Sequence, residues 1–242
     1  MRRTAAALLL IVSLLSFLMV CPTLAGPFED ATDAYKRDDY KTVIALAERG
    51  NADARVYLGR MYFEGEGVQQ DYAEARKWYR KAAEQGHADA MILLGFMFDV
   101  GQGGPKNYGE AIKWFRIAAD QGRADAQYAL GNMYEGGKGV PQDYRAAVEW
   151  FRKAADQGDA HAQYALGDMY EEGKGVPKNY VRAHMWYNLA ASQYASSPYY
   201  ELYERDRESA EELRDLLARK MTPAQIAEAQ RMAREWKPKK EK

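Results

Sequence analysis

The sequence predicts an all-α protein built as a right-handed α-solenoid of helix–turn–helix units. Three observations predict it. Leu58, Leu94, Leu130 and Leu166 recur every 36 residues, as do Gly59, Gly95, Gly131 and Gly167 and the tryptophans 78, 114, 150 and 186. A fixed period of this size marks stacked supersecondary units. Within each period two runs of residues place apolar side chains at helical spacing, for example Ala54, Leu58, Met61 and Tyr62 and then Ala75, Trp78, Tyr79 and Ala82. Finally, 242 residues at 47% hydrophobic and 29% charged, with one cysteine, exclude a collagen-like chain, a disulfide-dense miniprotein and a wholly disordered polymer.

The chain opens on Met1-Arg2-Arg3 and an apolar run from Ala5 to Val20, followed by Pro22 and the small-residue pattern Thr23-Leu24-Ala25. This is the pattern of a secretory signal peptide over 1–25, cut after Ala25, which predicts a periplasmic or secreted protein. Cys21 lies before that cut, so the mature chain would contain no disulfide. Residues 26–50 hold a shortened unit with Asp39-Tyr40 and the ending Leu46-Ala47-Glu48-Arg49-Gly50, read as an N-terminal capping half-repeat.

Four full units follow over 51–194, divided as 51–86, 87–122, 123–158 and 159–194. The first helix of unit one runs from Ala52 to Glu64 and stops at Gly65-x-Gly67, because glycine accepts the left-handed backbone that follows a helix end. Val-Pro at 140–141 and 176–177 fixes an extended connection, since proline disfavours helix in the residue before it. Unit two has Gly104 in place of that valine, which predicts a softer loop. Asp71, Asn107, Asp143 and Asn179 are N-caps for the second helix. Gly59 and its equivalents lie inside the first helix, where glycine costs about 1 kcal/mol relative to alanine. A cost repeated four times predicts a close approach, and the aromatics Tyr79, Phe115, Phe151 and Tyr187 are the expected partners.

After unit four, 195–236 is read as C-terminal capping helices. The last begins at Thr222-Pro223-Ala224-Gln225, a capping box with proline at the first helical position, and ends at Trp236, whose ring is expected to cover the open end of the stack. Residues 237–242 form a charged, basic tail expected to be disordered.

Leu58-Gly59-x-x-Tyr62 followed by Ala75-x-x-x-Tyr79-x-x-Ala82 resembles the tetratricopeptide repeat, with a unit longer by two residues. The Gly-x-Gly-Val-Pro loop and the ending Ala-Ala-x-Gln-Gly resemble the Sel-one-like repeat (SLR) family in particular. The resemblance implies a non-catalytic protein–protein interaction scaffold that binds partners along a concave groove lined by first helices. Overlaying the tetratricopeptide pattern at Leu58-Gly59 assigns to that groove Asp53, Val56, Arg60, Phe63 and Glu64 from unit one. Unit two supplies Asp89, Ile92, Phe96, Asp99 and Val100, and unit three Asp125, Tyr128, Asn132, Glu135 and Gly136. Unit four supplies His161, Tyr164, Asp168, Glu171 and Glu172. The set is rich in carboxylates with Arg60 as its one fixed cation, so the expected partner is a protein presenting a basic segment with apolar anchors.

Enzymatic signatures are missing. His87 and His161 sit at unit junctions, where Arg123 takes the place equivalent to His87, which reads as a solvated surface position. His184 reads as a surface or packing residue. No His/Cys cluster has metal-ligand spacing, and no nucleophile elbow, phosphate loop or dinucleotide fingerprint occurs. No cofactor and no metal are expected. A net charge of −1 offers no basic field for nucleic acid, and after signal cleavage no segment is expected to insert in a membrane. A cysteine-rich secreted branch of the SLR family is linked to β-lactam hydrolysis, but its disulfide in each repeat has no counterpart in a mature chain without cysteine. Cell-wall binding, to peptidoglycan or exopolysaccharide, is the alternative to a protein partner.

Overall fold

The computed structural model describes residues 30–196 and 204–239; the leader and its cleavage site lie outside these. The described residues form twelve helices and no strand. The half-repeat consists of α1 (Ala31–Lys36) and α2 (Tyr40–Glu48). The four units pair α3 (Ala52–Glu64) with α4 (Tyr72–Ala83), α5 (Ala88–Val100) with α6 (Tyr108–Asp120), α7 (Ala124–Gly136) with α8 (Tyr144–Asp156), and α9 (Ala160–Glu172) with α10 (Tyr180–Ser196). Two further helices, α11 (Glu204–Ala218) and α12 (Pro223–Glu235), complete the chain. Each first helix packs on its own second helix, and each second helix packs on the first helix of the next unit. No described helix is long and apolar enough to cross a membrane.

Local chemistry accounts for these boundaries. Asp71, Asn107, Asp143 and Asn179 each accept hydrogen bonds from backbone N–H groups of the helix they precede, satisfying donors that have no partner inside the helix. The first helices all end on a glycine in the left-handed conformation, Gly65, Gly101, Gly137 and Gly173. The glycine inside each first helix has the predicted partner. A methyl group at Gly59 would lie 2.6 Å from the Tyr79 ring, and one at Gly95 would lie 2.6 Å from Phe115. Gly131 meets Phe151 and Gly167 meets Tyr187 in the same way. The bare helix backbone therefore forms the wall against which each unit's most deeply buried ring is set. Burying such rings, at about 150–250 Å² apiece, dominates a core of this kind.

The junctions between units carry a second recurring device. Gln127 and Gln163 are buried, and each donates from Nε2 to the carbonyl eight residues earlier, Ala119 and Ala155. Arg55 does the same to Ala47 through Nε. Each adds a side-chain hydrogen bond to a carbonyl near the end of the preceding second helix that also accepts from the turn glycine, Gly50, Gly122 or Gly158.

Several features differ from the sequence expectation. The loop at Gly104 is filled rather than slack. Arg76, 8% exposed, lies where a Cβ at Gly104 would be, stacks 4.0 Å over the Phe98 ring and donates from Nη2 to the carbonyls of Met97 and Pro105. The equivalent positions in later units are Ile112, Val148 and His184. At the C-terminal end α11 and α12 both pack against α10. Trp236 thereby lies over the turn between units three and four, where a methyl group at Gly158 would meet its ring at 3.9 Å, and not over the open end of the stack. The tail is also placed as far as it is described. Lys239 donates its backbone N–H to the Asp156 carbonyl at 2.6 Å, and its ammonium pairs with the Asp156 carboxylate at 2.7 Å. A cation is favoured at the C-terminal end of α8 by the helix dipole.

Candidate protein-binding groove

The inner helices α3, α5, α7 and α9 place most of the predicted groove residues along a run of three adjoining clefts. The first, about 330 Å³, is lined by Val56, Arg60, Phe63, Glu64 and Phe96 together with Leu93. The second, about 520 Å³, is lined by Phe96, Asp99, Asn132, Glu135 and Gly136, with Lys138 and Lys174 on its rim. The third, about 330 Å³, takes Tyr128, Asn132, Glu135, His161, Tyr164 and Asp168. Phe96 is shared by the first two clefts, and Asn132 with Glu135 by the last two, so the run is continuous.

Its two halves differ in chemistry. In the N-terminal half Leu93, Phe96 and Val100 lie at i, i+3 and i+7 on α5 and remain exposed, Phe96 at 43% and Val100 at 51%. Ile92 departs from its assignment: at 5% exposure it belongs to the core beside Leu94 and Met97. Leu93, 37% exposed, supplies the outward apolar surface in its place.

Most of the assigned carboxylates pair with groups of the protein itself, although several of them remain exposed. Asp53 contacts His87 at 3.0 Å, and Asp89 pairs with Arg123, which also takes Asp125 at 2.9 Å. His87 and Arg123 are thus seam residues linking one unit to the next, with His87 also capping α5 through Nδ1, where the sequence suggested solvated positions. Glu64 pairs with Arg60 at 3.0 Å, Asp99 with Lys138 at 3.8 Å, Glu172 with Lys174 at 2.5 Å and Glu171 with Lys220 at 3.2 Å. Asp53, Asp89, Asp125 and Glu171 line none of the three clefts.

The third cleft is different. Asp168 accepts a hydrogen bond from the Tyr187 hydroxyl at 2.7 Å, yet burial, aided by the charges of Glu172, Glu135 and Glu171, pushes its pKa up to about 6. Burial likewise raises Glu135, with Lys174 opposing. His161 lies between Tyr128 and Tyr194, with ring centroids 5.6 and 5.3 Å away, and the Tyr194 hydroxyl is 2.9 Å from His161 Nδ1. Two residues of α11, Asp206 and Ser209, form part of the wall. Sequence reasoning missed Tyr194, Asp206 and Ser209 because they stand outside the repeat pattern of first helices. His184 is buried at 3% exposure with its pKa lowered by burial and by Arg214, a packing residue. Among the described residues no group of three or more His, Cys, Asp or Glu is disposed to hold a metal ion.

An array of helix pairs with a continuous inner groove belongs to the class of α-helical repeat solenoids. The chain is a member of the Sel1 repeat family, whose model matches residues 52–87, 88–122, 124–159 and 160–194. Sel1 repeat proteins generally mediate protein–protein interaction and are mostly non-catalytic scaffolds. Among solved structures the chain is similar to c5321, a protective antigen of uropathogenic Escherichia coli with an SLR fold. The two share 33% identity over 88% of this chain and 42% of that one, with a TM-score of 0.70. The chain thus spans about two fifths of the length of that relative. It is also similar to a Sel1 repeat protein from Oxalobacter formigenes, at 36% identity over 67% of this chain and 69% of that one, with a TM-score of 0.62. A search of curated proteins finds no match.

Proposed function

We propose that the chain is an exported, non-catalytic scaffold that holds a segment of a partner protein along the inner groove, with apolar anchors of that segment in the N-terminal half and basic residues toward the C-terminal half. The observation that carries this reading is the continuity of the three clefts. A groove shared between neighbouring units through Phe96, Asn132 and Glu135 suits an extended segment better than a small molecule. The exposed Leu93, Phe96 and Val100 stripe supplies apolar surface beyond what a single exposed residue would. Export rests on the leader pattern, and cleavage after Ala25 would give a mature chain beginning at Gly26.

A photo-crosslinking side chain placed at Phe96 or Glu135 tests the groove, with one at the exposed Glu149 on α8 as the outer-face control. The expected result is a discrete adduct with the same partner from both inner positions and none from Glu149, weakened as salt rises. Adducts from Glu149 alone, or capture of cell-wall sacculi that is indifferent to the inner positions, would overturn the reading.

A further inference from the structure

We propose that the third cleft is a cage for a single arginine side chain of the partner segment, and that α11 is a wall of this site as well as a cap on the array. This rests on the groove reading above and assigns one position within it.

The lining combines two kinds of group that recognise a planar cation. Tyr128, Tyr164, Tyr194 and His161 contribute aromatic rings, and Glu135, Asp168 and Asp206 contribute carboxylates, while no lysine or arginine lines the cleft. A guanidinium is attracted to aromatic faces and donates two parallel hydrogen bonds to a carboxylate. The volume, about 330 Å³, lies at the small end of the range for ligand clefts. It admits one long side chain and excludes a helix.

The distribution of charge along the groove singles out this position. Elsewhere the carboxylates are matched by Arg60, Arg123, Lys138, Lys174 and Lys220. Here the walls supply no lysine or arginine, and Lys174, which bears on Glu135, stands on the rim of the second cleft. Burial raises Asp168 first, and the charges of Glu172, Glu135 and Glu171 add to it, so an incoming cation meets a net negative wall. Asn132 and Ser209 can orient the flanking backbone of the segment. A saccharide also stacks on tyrosine rings and can donate its hydroxyls to carboxylates, but being neutral it leaves their charge uncompensated, whereas a guanidinium offsets it. The cationic occupant is therefore favoured.

The test is an NMR titration of the mature protein with N-acetyl-arginine amide, its neutral counterpart N-acetyl-citrulline amide, and an N-acetylglucosamine trimer. The arginine probe should bind with a dissociation constant of about 1 mM, shifting ring resonances of Tyr128, Tyr164 and Tyr194. Citrulline, of nearly the same shape without the charge, should bind about tenfold more weakly. Asp206→Asn, at a half-buried site on α11, should weaken arginine by about fivefold, and Asp206→Glu should restore part of it. Equal binding of arginine and citrulline, shifts confined to other parts of the molecule, or binding of the trimer alone would overturn the proposal. Because the crosslink at Phe96 reports the groove independently, loss of the cage with that adduct retained refutes only the arginine assignment.

Discussion

Alanine at Gly95 should destabilise the protein, whereas alanine at Gly109 should stabilise it, although both glycines are helical. In an exposed helix alanine is favoured over glycine by about 1 kcal/mol. At Gly109 the new methyl group meets only Asn107 Oδ1 at 3.4 Å, so that gain is available. At Gly95 it would lie 2.6, 2.7 and 3.0 Å from Cε1, Cδ1 and Cζ of Phe115. Carbon atoms rest about 3.5–4.0 Å apart, so the ring would have to retreat by about 1 Å. Phe115 is 1% exposed and enclosed by the core, and forced overpacking costs about 1–3 kcal/mol. Against the gain in helix propensity, Gly95→Ala is expected to lose up to about 2 kcal/mol. Urea unfolding followed by circular dichroism compares the two variants directly. Phe115→Leu, which makes room, should recover part of the loss when combined with Gly95→Ala, giving a coupling of about 0.5 kcal/mol or more. Equal stabilisation at Gly95 and Gly109 would refute the claim that the ring, rather than the helix, demands glycine there.

Two other outcomes follow from single sites. Gly104→Val should destabilise by about 2 kcal/mol or more, because the side chain collides with Arg76 and the backbone φ is +153°; Arg76→Ile combined with Gly104→Val restores the pairing of residue types found at Ile112 and Val140 and should melt above the single variant. Asp168 binds its proton more tightly in the folded state, with a pKa of about 6 against 3.8, so its contribution to stability declines as pH rises through that window and stays low above it. Asp168→Asn keeps an acceptor for the Tyr187 hydroxyl, and its urea midpoint should gain on wild type between about pH 4 and pH 7; a constant difference would refute the raised pKa.

The period made the fold legible, because Leu, Gly and Trp recur at one spacing and each has a single structural task. The glycine–ring contacts, the second-helix N-caps and the capping box at Thr222 with Gln225 were readable for the same reason, since each depends on residues close in sequence or on one repeated pairing. The exceptions depend on contacts that no repeat announces. Arg76 is an ordinary surface residue type, and only the missing side chain at Gly104, 28 positions later, turns it inward. Lys220 reaches Glu171 and Lys239 reaches Asp156 across 49 and 83 positions. The groove was legible in outline through the inner-helix register, but the pairing of most of its acids was not, because Asp53, Asp89, Asp99 and Glu171 find partners in another unit or in the turn after α11. The docking of α11 and α12 is equally silent in sequence, with only Ala210, Leu217, Ala229 and Ala233 buried from those two helices.

The seams between units have an implication for how the array assembles. Repeat proteins misassemble when near-identical units dock out of order. Here the first seam joins Asp53 to His87 and the second joins Asp89 to Arg123, while at the third the corresponding residue is Asp159, whose charge is repelled by Asp125. Were unit four to skip unit three and dock on unit two, Asp159 would stand opposite Asp89 with Arg123 removed. The cores that stack are thus alike while the joints differ in charge, so the array carries a distinct polar label at each seam.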